Sequence, residues 1–298
     1  MISVIIPTLD GAHYLPPLVS VLRNQSLKDI EIVIVDSESS DGTPAVARSL
    51  GCAVHRVSRN RFDHGGARNF AAGKSSGEIL VFLTQDALPT SRDFLALLTA
   101  PLDGHLTAAS YARQIPASDA PPTEAFARLH NYPVESSLRH ISRVQRRTLK
   151  TFFFSNTASA IDRACFERVG RFPAPVLTNE DMLFCARLLD GGYQVAYAAQ
   201  AQVIHSHNFS FTDLFRRYFR IGAVTREHRD VLRCASNSKD GIEFVRKQIA
   251  YLHETRRNTL IPRALIEASI KALAFQCGRL PRVAPRVPTH REQVEELG

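Results

Sequence analysis

The first 110 residues alternate short apolar runs with stretches whose apolar positions recur every three or four residues. "ISVIIPT" (2–8), "IEIVIVD" (30–36), "AVHRV" (53–57) and "EILVFLT" (78–84) are rich in β-branched residues and bounded by polar clusters, the pattern of buried strands. Between the first two, Leu15, Leu18, Val19 and Leu22 fall on one face of a helix. "TPAVARSLG" predicts a second helix, with Thr43 as N-cap, Pro44 in the first helical position and Gly51 as its stop. Residues 67–75 predict a third. Repeated βα units of this length imply an α/β fold, a mostly parallel sheet with helices on both faces. Right-handed crossovers then gather the strand carboxyl ends on one edge.

Residues 112–150 break the pattern. "IPASDAPPTEA" is rich in Pro, Ser and Ala, and basic residues follow, which predicts an inserted excursion or mobile loop. "FFFSNTASAIDR" returns to sheet and turn. Residues 179–191 predict a helix closed by Gly191-Gly192, and "YQVAYAAQAQVIHSH" predicts two short strands. From residue 211 to 278 the pattern is mainly helical. The last twenty or so residues, with Pro281, Pro285 and Pro288, predict a poorly ordered tail.

Hydrophobic residues make up 44% and charged residues 22% of the 298, so material for a sizeable core is present. The net charge of +8 leaves three kinds of partner: nucleic acid, an anionic membrane surface or a phosphorylated small substrate. Basic residues crowd into 139–150, 216–233 and 279–291, away from the βα half. No RNA- or DNA-binding motif accompanies them, which argues against nucleic acid. Five scattered cysteines with no CxxC pair argue against a disulfide framework or a zinc site and fit a reducing compartment. The amino terminus lacks a basic region ahead of its apolar run, and no run of about 18 apolar residues occurs. A cytoplasmic protein is therefore expected.

Five clusters could carry chemistry. In "IVIVDSESSDGT", Asp36 ends a strand, where a carboxylate can accept hydrogen bonds from a base or ribose. In "RFDHGGARN", Gly65 and Gly66 permit positive φ and close backbone approach, and Arg68 is a candidate phosphate or base partner. In "LTQDALP", Asp86 either holds a divalent ion that bridges a diphosphate or caps a turn. In "TNEDMLFCARLLDGG", Thr178 and Asp181 have capping-box spacing. Asp181 is equally placed to act as a general base, with Glu180 beside it. In "VIHSHNFS", His205 and His207 share one face of an extended segment and could complete a metal site with Asp86.

The order of these clusters along one chain resembles the family 2 glycosyltransferases, which have the GT-A (Rossmann-like) fold. The resemblance covers roughly residues 1–222, and "FDHGGARN" with "LTQDA" is most like bacterial dTDP-rhamnosyltransferases. It implies a transferase domain over 1–222, with a nucleotide-sugar-binding half (1–110) and an acceptor-binding half (111–222), then a C-terminal helical extension (223–298). Pro7, Thr8, Asp36, Arg68, Gln85 and Asp86 then match the nucleotide-sugar site. Asp181 matches the catalytic base with Glu180 beside it, and Asp86, His205 and His207 match ligands for Mg²⁺ or Mn²⁺. Thr84 stands where the family's DxD motif has its first Asp. The implied reaction is an inverting transfer, L-rhamnose from dTDP-L-rhamnose being the expected donor, to a glycan or lipid-diphosphate-linked sugar acceptor. A UDP- or GDP-linked donor, a nucleotidyltransferase and a sugar-nucleotide-binding protein are the alternatives.

In "DLFRRYFRIG", Leu214, Phe215, Tyr218 and Phe219 line one helical face among arginines, and "IPRALIEASIKALAFQCGRLPR" has a similar mixed face. Two readings follow. These helices pack on the core with solvated basic edges, or they attach the protein to the inner face of the cytoplasmic membrane.

Overall fold

The computed structural model describes residues 1–232 and 238–281, so the tail expected to be poorly ordered lies outside the described residues. Strands β1 (Ile2–Thr8), β2 (Ile30–Asp36), β3 (Ala53–Arg56) and β4 (Ile79–Leu83) alternate with helices α1 (Leu15–Arg23), α2 (Thr43–Ser49) and α3 (His64–Ala72). Strands β5 (Leu88–Pro89), β6 (Thr107–Ile115), β7 (Ser137–Arg139), β8 (Ala158–Asp162) and β9 (Gln194–Ile204) complete one sheet. Its order is β3-β2-β1-β4-β8-β6-β9-β5, with β7 paired to β9. Helices α4 (Phe94–Thr99), α5 (Pro122–Asn131), α6 (Arg163–Arg168) and α7 (Glu180–Asp190) intervene. Then α8 (Phe211–Glu227), α9 (Arg229–Leu232), α10 (Ser238–Glu254) and α11 (Ile261–Arg279) follow.

The first four strands are parallel throughout. Beyond Leu83 the pairing becomes mixed, because β8 runs antiparallel to both β4 and β6, while β6 and β9 are parallel. Alternation along the strands divides the core in two. Val4, Ile6, Ile32 and Ile34 pack with α1 and α4 on one face, whereas Ile5, Val33 and Val35 pack with α3 and α7 on the other. Phe82, Phe166, Phe172 and Phe184 interlock on the second face, with ring centroids between 4.9 and 6.0 Å apart.

Several expectations are corrected here. Residues 112–150 are built into the protein rather than looping out from it. Within this stretch Phe126 and Tyr132 are buried, and the guanidinium of Arg139 donates to the carbonyls of Thr151 and Phe153 and to the Tyr111 hydroxyl. The polar composition had hidden widely spaced aromatic anchors. The two strands expected after Tyr193 are one strand, because a register shift across Ala198–Gln202 absorbs the break. Helix α2 is capped by Gly42 at φ 86°, so Thr43 is its first residue, and its hydroxyl accepts from the Gly11 amide at 2.8 Å. Helix α3 begins at His64, three residues earlier than expected, with the Asp63 carboxylate accepting from the Gly66 amide at 2.9 Å. Gly65 and Gly66 are therefore helical, not left-handed.

The C-terminal helices lie side by side. Contacts from residues 211, 218, 222 and 226 reach 263, 271, 275 and 278 in turn, so α8 and α11 run in the same direction. Their backbones nearly touch: a Cβ on Gly222 would sit 2.2 Å from the Phe275 carbonyl oxygen, and one on Gly278 would sit 2.0 Å from that of Phe219. Much of the α8 apolar face, including buried Leu214, is turned inward, which favours core packing there. Exposed apolar side chains remain on all three long helices: Phe211 and Phe215 of α8, Ile242 of α10, and Leu265, Ile266 and Leu273 of α11.

Candidate active site

Sheet topology decides which residues meet. Thr8 is level with Asp36, Ile5 with Phe82, and Ile115 with Ile204, so the carboxyl ends of β1, β2, β4, β6 and β9 share one edge. Strand β8 runs the other way and starts there, and the Thr84 amide donates to the Thr157 carbonyl at 3.0 Å. Residues 155–157 thus stand between the end of β4 and the ends of β6 and β9.

At the β1–β2 end, Asp36 is buried. Its carboxylate accepts from the Thr8 hydroxyl at 3.1 Å, the Ser39 amide at 3.0 Å and the Ser39 hydroxyl at 2.5 Å. Pro7, partly exposed, precedes Thr8 on the strand tip. The buried Ser37 hydroxyl has no hydrogen-bond partner among the described residues, an unusual state for a buried polar atom. Gln85 is turned toward protein. Its Oε1 accepts from the Leu9 amide at 3.0 Å and its Nε2 donates to the Leu9 carbonyl at 3.1 Å, pinning the loop after β1.

Asp86, His205 and His207 converge, with one ligand atom from each lying within 4.8 Å of the others. Asp86 Oδ2 is 3.4 Å from His205 Nε2 and 4.0 Å from His207 Nδ1. The two rings meet edge to face with centroids 4.4 Å apart. A residue missed in the sequence, Gln114, fixes the tautomer. Its Oε1 accepts from the Arg128 guanidinium, which has only donors, so the His205 Nδ1 at 2.9 Å must also be donating. With Nδ1 committed to Gln114, Nε2 is the ring nitrogen that His205 turns toward Asp86. Burial would raise the Asp86 pKa, but the hydrogen bond and charge of His205 prevail and hold it well below the carboxylate range. Burial, then the charge of His205, pushes His207 down to about 4. The cluster offers one carboxylate and two imidazole nitrogens, a donor set that fits a divalent cation, whose binding would displace any proton on those nitrogens.

The third group surrounds Asp181. Asn179, at φ 61°, caps α7 without a side-chain bond, so the capping box expected of Thr178 and Asp181 does not form. The Asp181 carboxylate instead accepts from the Asn156 amide at 3.2 Å and the Met182 amide at 2.8 Å. Burial, then the charge of Glu180, pushes its pKa up to about 7. Glu180 lies underneath, 5% exposed, accepting from Asn156 Nδ2 at 3.2 Å and pairing with Arg68 at 3.2 Å. Arg68 is itself 4% exposed, so the structure places it under the cleft, on Glu180 and the His64 carbonyl.

The metal cluster and Asp181 are joined by short bonds: His205 to Gln114, Gln114 Nε2 to the Ser155 hydroxyl at 3.0 Å, and the next residue, Asn156, to both acids. Gln114 and Asn156 carried no signal in the sequence beyond their neighbourhood, since each acts on a partner remote in the chain.

Comparison with known proteins bears on the family and the fold. The sequence profile of Glycosyl transferase family 2 matches residues 3–170. The chain is 32% identical over 281 residues to the O-antigen chain rhamnosyltransferase RfbN of Salmonella typhimurium, covering 93% of this chain and 89% of that one. It is 33% identical over 259 residues to the O-antigen chain rhamnosyltransferase WbaN of Salmonella anatum, covering 86% and 82%. Among solved structures, the mannosyltransferase PcManGT from Pyrobaculum calidifontis, in complex with GDP-Man and Mn²⁺, superposes with a TM-score of 0.59 at 21% identity, covering 99% of this chain and 79% of that one. S. aureus TarS 1-349 in complex with UDP-GlcNAc gives a TM-score of 0.54 at 15% identity, covering 93% and 90%; both likenesses are of fold. With the family profile spanning more than half of its length and two relatives above 30% identity along most of it, the chain belongs to glycosyl transferase family 2, and it is a metal-associated glycosyltransferase.

Proposed function

We propose that this enzyme transfers L-rhamnose from dTDP-L-rhamnose, with inversion, to a sugar hydroxyl of a glycan or lipid-diphosphate-linked acceptor in cell-surface polysaccharide synthesis. One observation carries the reading. A cation-competent cluster and a carboxyl with a pKa near neutrality sit at the same sheet edge, joined through residues 155 and 156. The choice of rhamnose is supported by the two O-antigen rhamnosyltransferases at 32% and 33% identity.

In this mechanism Asp36, with Pro7 and Thr8, receives the nucleoside, and the Ser37 hydroxyl gains the partner it lacks. Gln85 holds the neighbouring loop in shape. Asp86, His205 and His207 would hold the divalent cation, whose chemistry when bound is to offset the charge growing on the leaving diphosphate. Two imidazole nitrogens suit Mn²⁺ better than Mg²⁺, which favours oxygen ligands. Asp181 takes the proton from the acceptor hydroxyl, and that oxygen attacks the anomeric carbon from the side opposite the diphosphate. A base with a pKa near the working pH is efficient in both accepting and later releasing that proton. Glu180 and Arg68 support Asp181 from below.

Residues 1–110 would bind the donor and 111–222 the acceptor, with the helices from 223 onward as an extension that α8 enters without a break. No described helix is long and apolar enough to cross a membrane. The exposed Leu265, Ile266 and Leu273 of α11, on a basic chain, fit attachment to an anionic surface at the inner face of the cytoplasmic membrane. The test is a thermal-shift panel of dTDP-, UDP- and GDP-sugars with Mn²⁺ or Mg²⁺, followed by assay of nucleoside diphosphate release with and without acceptor. A shift confined to UDP- or GDP-sugars would replace the donor. Binding without release in the presence of lipid-diphosphate-linked sugars would reduce the protein to a binder.

A further inference from the structure

Helix α3 presents Gly65, Arg68 and Asn69 on one face, at the i, i+3, i+4 spacing that aligns side chains. All three meet the irregular segment 172–180, which leads from α6 into the first residue of α7 and ends beside Asp181. Gly65 lets the helix close in, since a Cβ there would fall 2.4 Å from the Pro173 carbonyl oxygen and 3.4 Å from Glu180 Cβ. Arg68 pairs with Glu180 at 3.2 Å. Asn69 grips Phe172 at both ends of its backbone, donating from Nδ2 to the carbonyl at 2.9 Å and accepting the amide at Oδ1 at 3.1 Å. Phe172 and Val176 pack into the core, but residues 172–179 contain Pro173 and Pro175 and form no helix or strand, so no regular ladder of backbone bonds fixes them.

We propose that Gly65, Arg68 and Asn69 are positioning residues: one face of α3 that fixes segment 172–180, and so places Asp181, without touching the donor. The proposal rests on the reading of Asp181 as the base. It accounts for the burial of Arg68 and for the continuous run "GGARN" in a single turn of helix, neither of which a donor contact requires.

The test uses the full-length protein and the variants Asn69→Ala, Arg68→Met and Arg68→Lys. Amide hydrogen exchange needs no donor. The Asn69→Ala variant should exchange at least tenfold faster over 172–183, with β1 and β4 unchanged. Affinity for dTDP-L-rhamnose with Mn²⁺, measured by calorimetry, should stay within about twofold of the parent in all three variants. The kcat of Asn69→Ala and Arg68→Met should fall at least tenfold, with partial recovery in Arg68→Lys, whose ammonium still reaches toward Glu180. Unchanged exchange over 172–183 would overturn the proposal. So would donor affinity lost in step with kcat, which would return Arg68 to the donor site. The Asp181→Asn variant, assayed alongside, tests the base itself. If it turns over normally, the base reading fails while the exchange result still decides whether α3 holds the segment.

Discussion

Replacing Asp181 with Asn is expected to move stability and turnover in opposite directions. The carboxyl is pushed up from an ordinary 3.8 to about 7, first by burial and then by Glu180. Between those two values the folded chain keeps a proton that the unfolded chain has released. The contribution of this group to stability is therefore full below about pH 4 and is lost as pH rises through 7. A shift of about three pK units corresponds to roughly 4 kcal/mol of destabilisation carried by the native state above neutrality. Asn removes the charge and keeps the shape, but it replaces one acceptor oxygen with an NH₂ group. Because the amides of Asn156 and Met182 both donate to the carboxylate, one of them is left without a partner, at about 1–2 kcal/mol. The net expectation at pH 8 is a gain of about 2 kcal/mol, read as a rise of roughly 4 °C or more in Tm. At pH 5 the unfolded parent is favoured by only about one pK unit, roughly 1–2 kcal/mol, which the unpartnered amide of the variant offsets, so the difference falls to about zero. Thermal melts of parent and variant from pH 5 to 8.5 at fixed ionic strength measure this, and turnover in the same buffers should fall about 10²- to 10⁴-fold. A variant that is less stable at pH 8, or a difference that does not vary with pH, would refute the burial argument. Turnover close to the parent's would remove Asp181 from proton transfer.

Three other outcomes are expected. Asp86→Asn or His205→Ala should weaken Mn²⁺ binding, followed by electron paramagnetic resonance, by more than tenfold, and Gln114→Ala should cost about 10- to 100-fold through loss of the His205 tautomer. Gln85→Ala should release the Leu9 loop and raise donor KM several-fold with little change in kcat. An unchanged KM would detach that loop from donor binding. Gly278→Ala should destabilise the α8–α11 contact by about 1–3 kcal/mol in urea unfolding, since the added methyl meets a backbone carbonyl that has no rotamer to change.

Strand-borne chemistry was legible because period-2 apolar runs reveal where a strand stops. Asp36 ends one such run, and Asp86 and His205 follow soon after two others, so a single topological rule brought them to one edge. What escaped was the set of side chains that bind backbone or side chains far along the chain. Asn69 acts on Phe172 and Gln114 on His205, contacts with no period, composition or spacing to announce them. The same cause explains why "GGARN" looked like a phosphate turn: its helix and its partner segment are separated by a hundred residues. The middle of the chain misled for a different reason. Its buried aromatics stand singly among polar residues, and burial there is imposed by Arg139 and the neighbouring strands.

The same-direction run of α8 and α11 has an electrostatic consequence. Side-by-side macrodipoles pointing the same way repel, so the near contact of Gly222 and Gly278 with opposing carbonyls must secure the pair by dispersion over closely apposed backbones. The alignment also brings the amino-terminal turns of both helices to the pocket that His207 and Phe209 line, together with Leu214 and Arg263. Two half-positive poles thus flank the pocket beside His207.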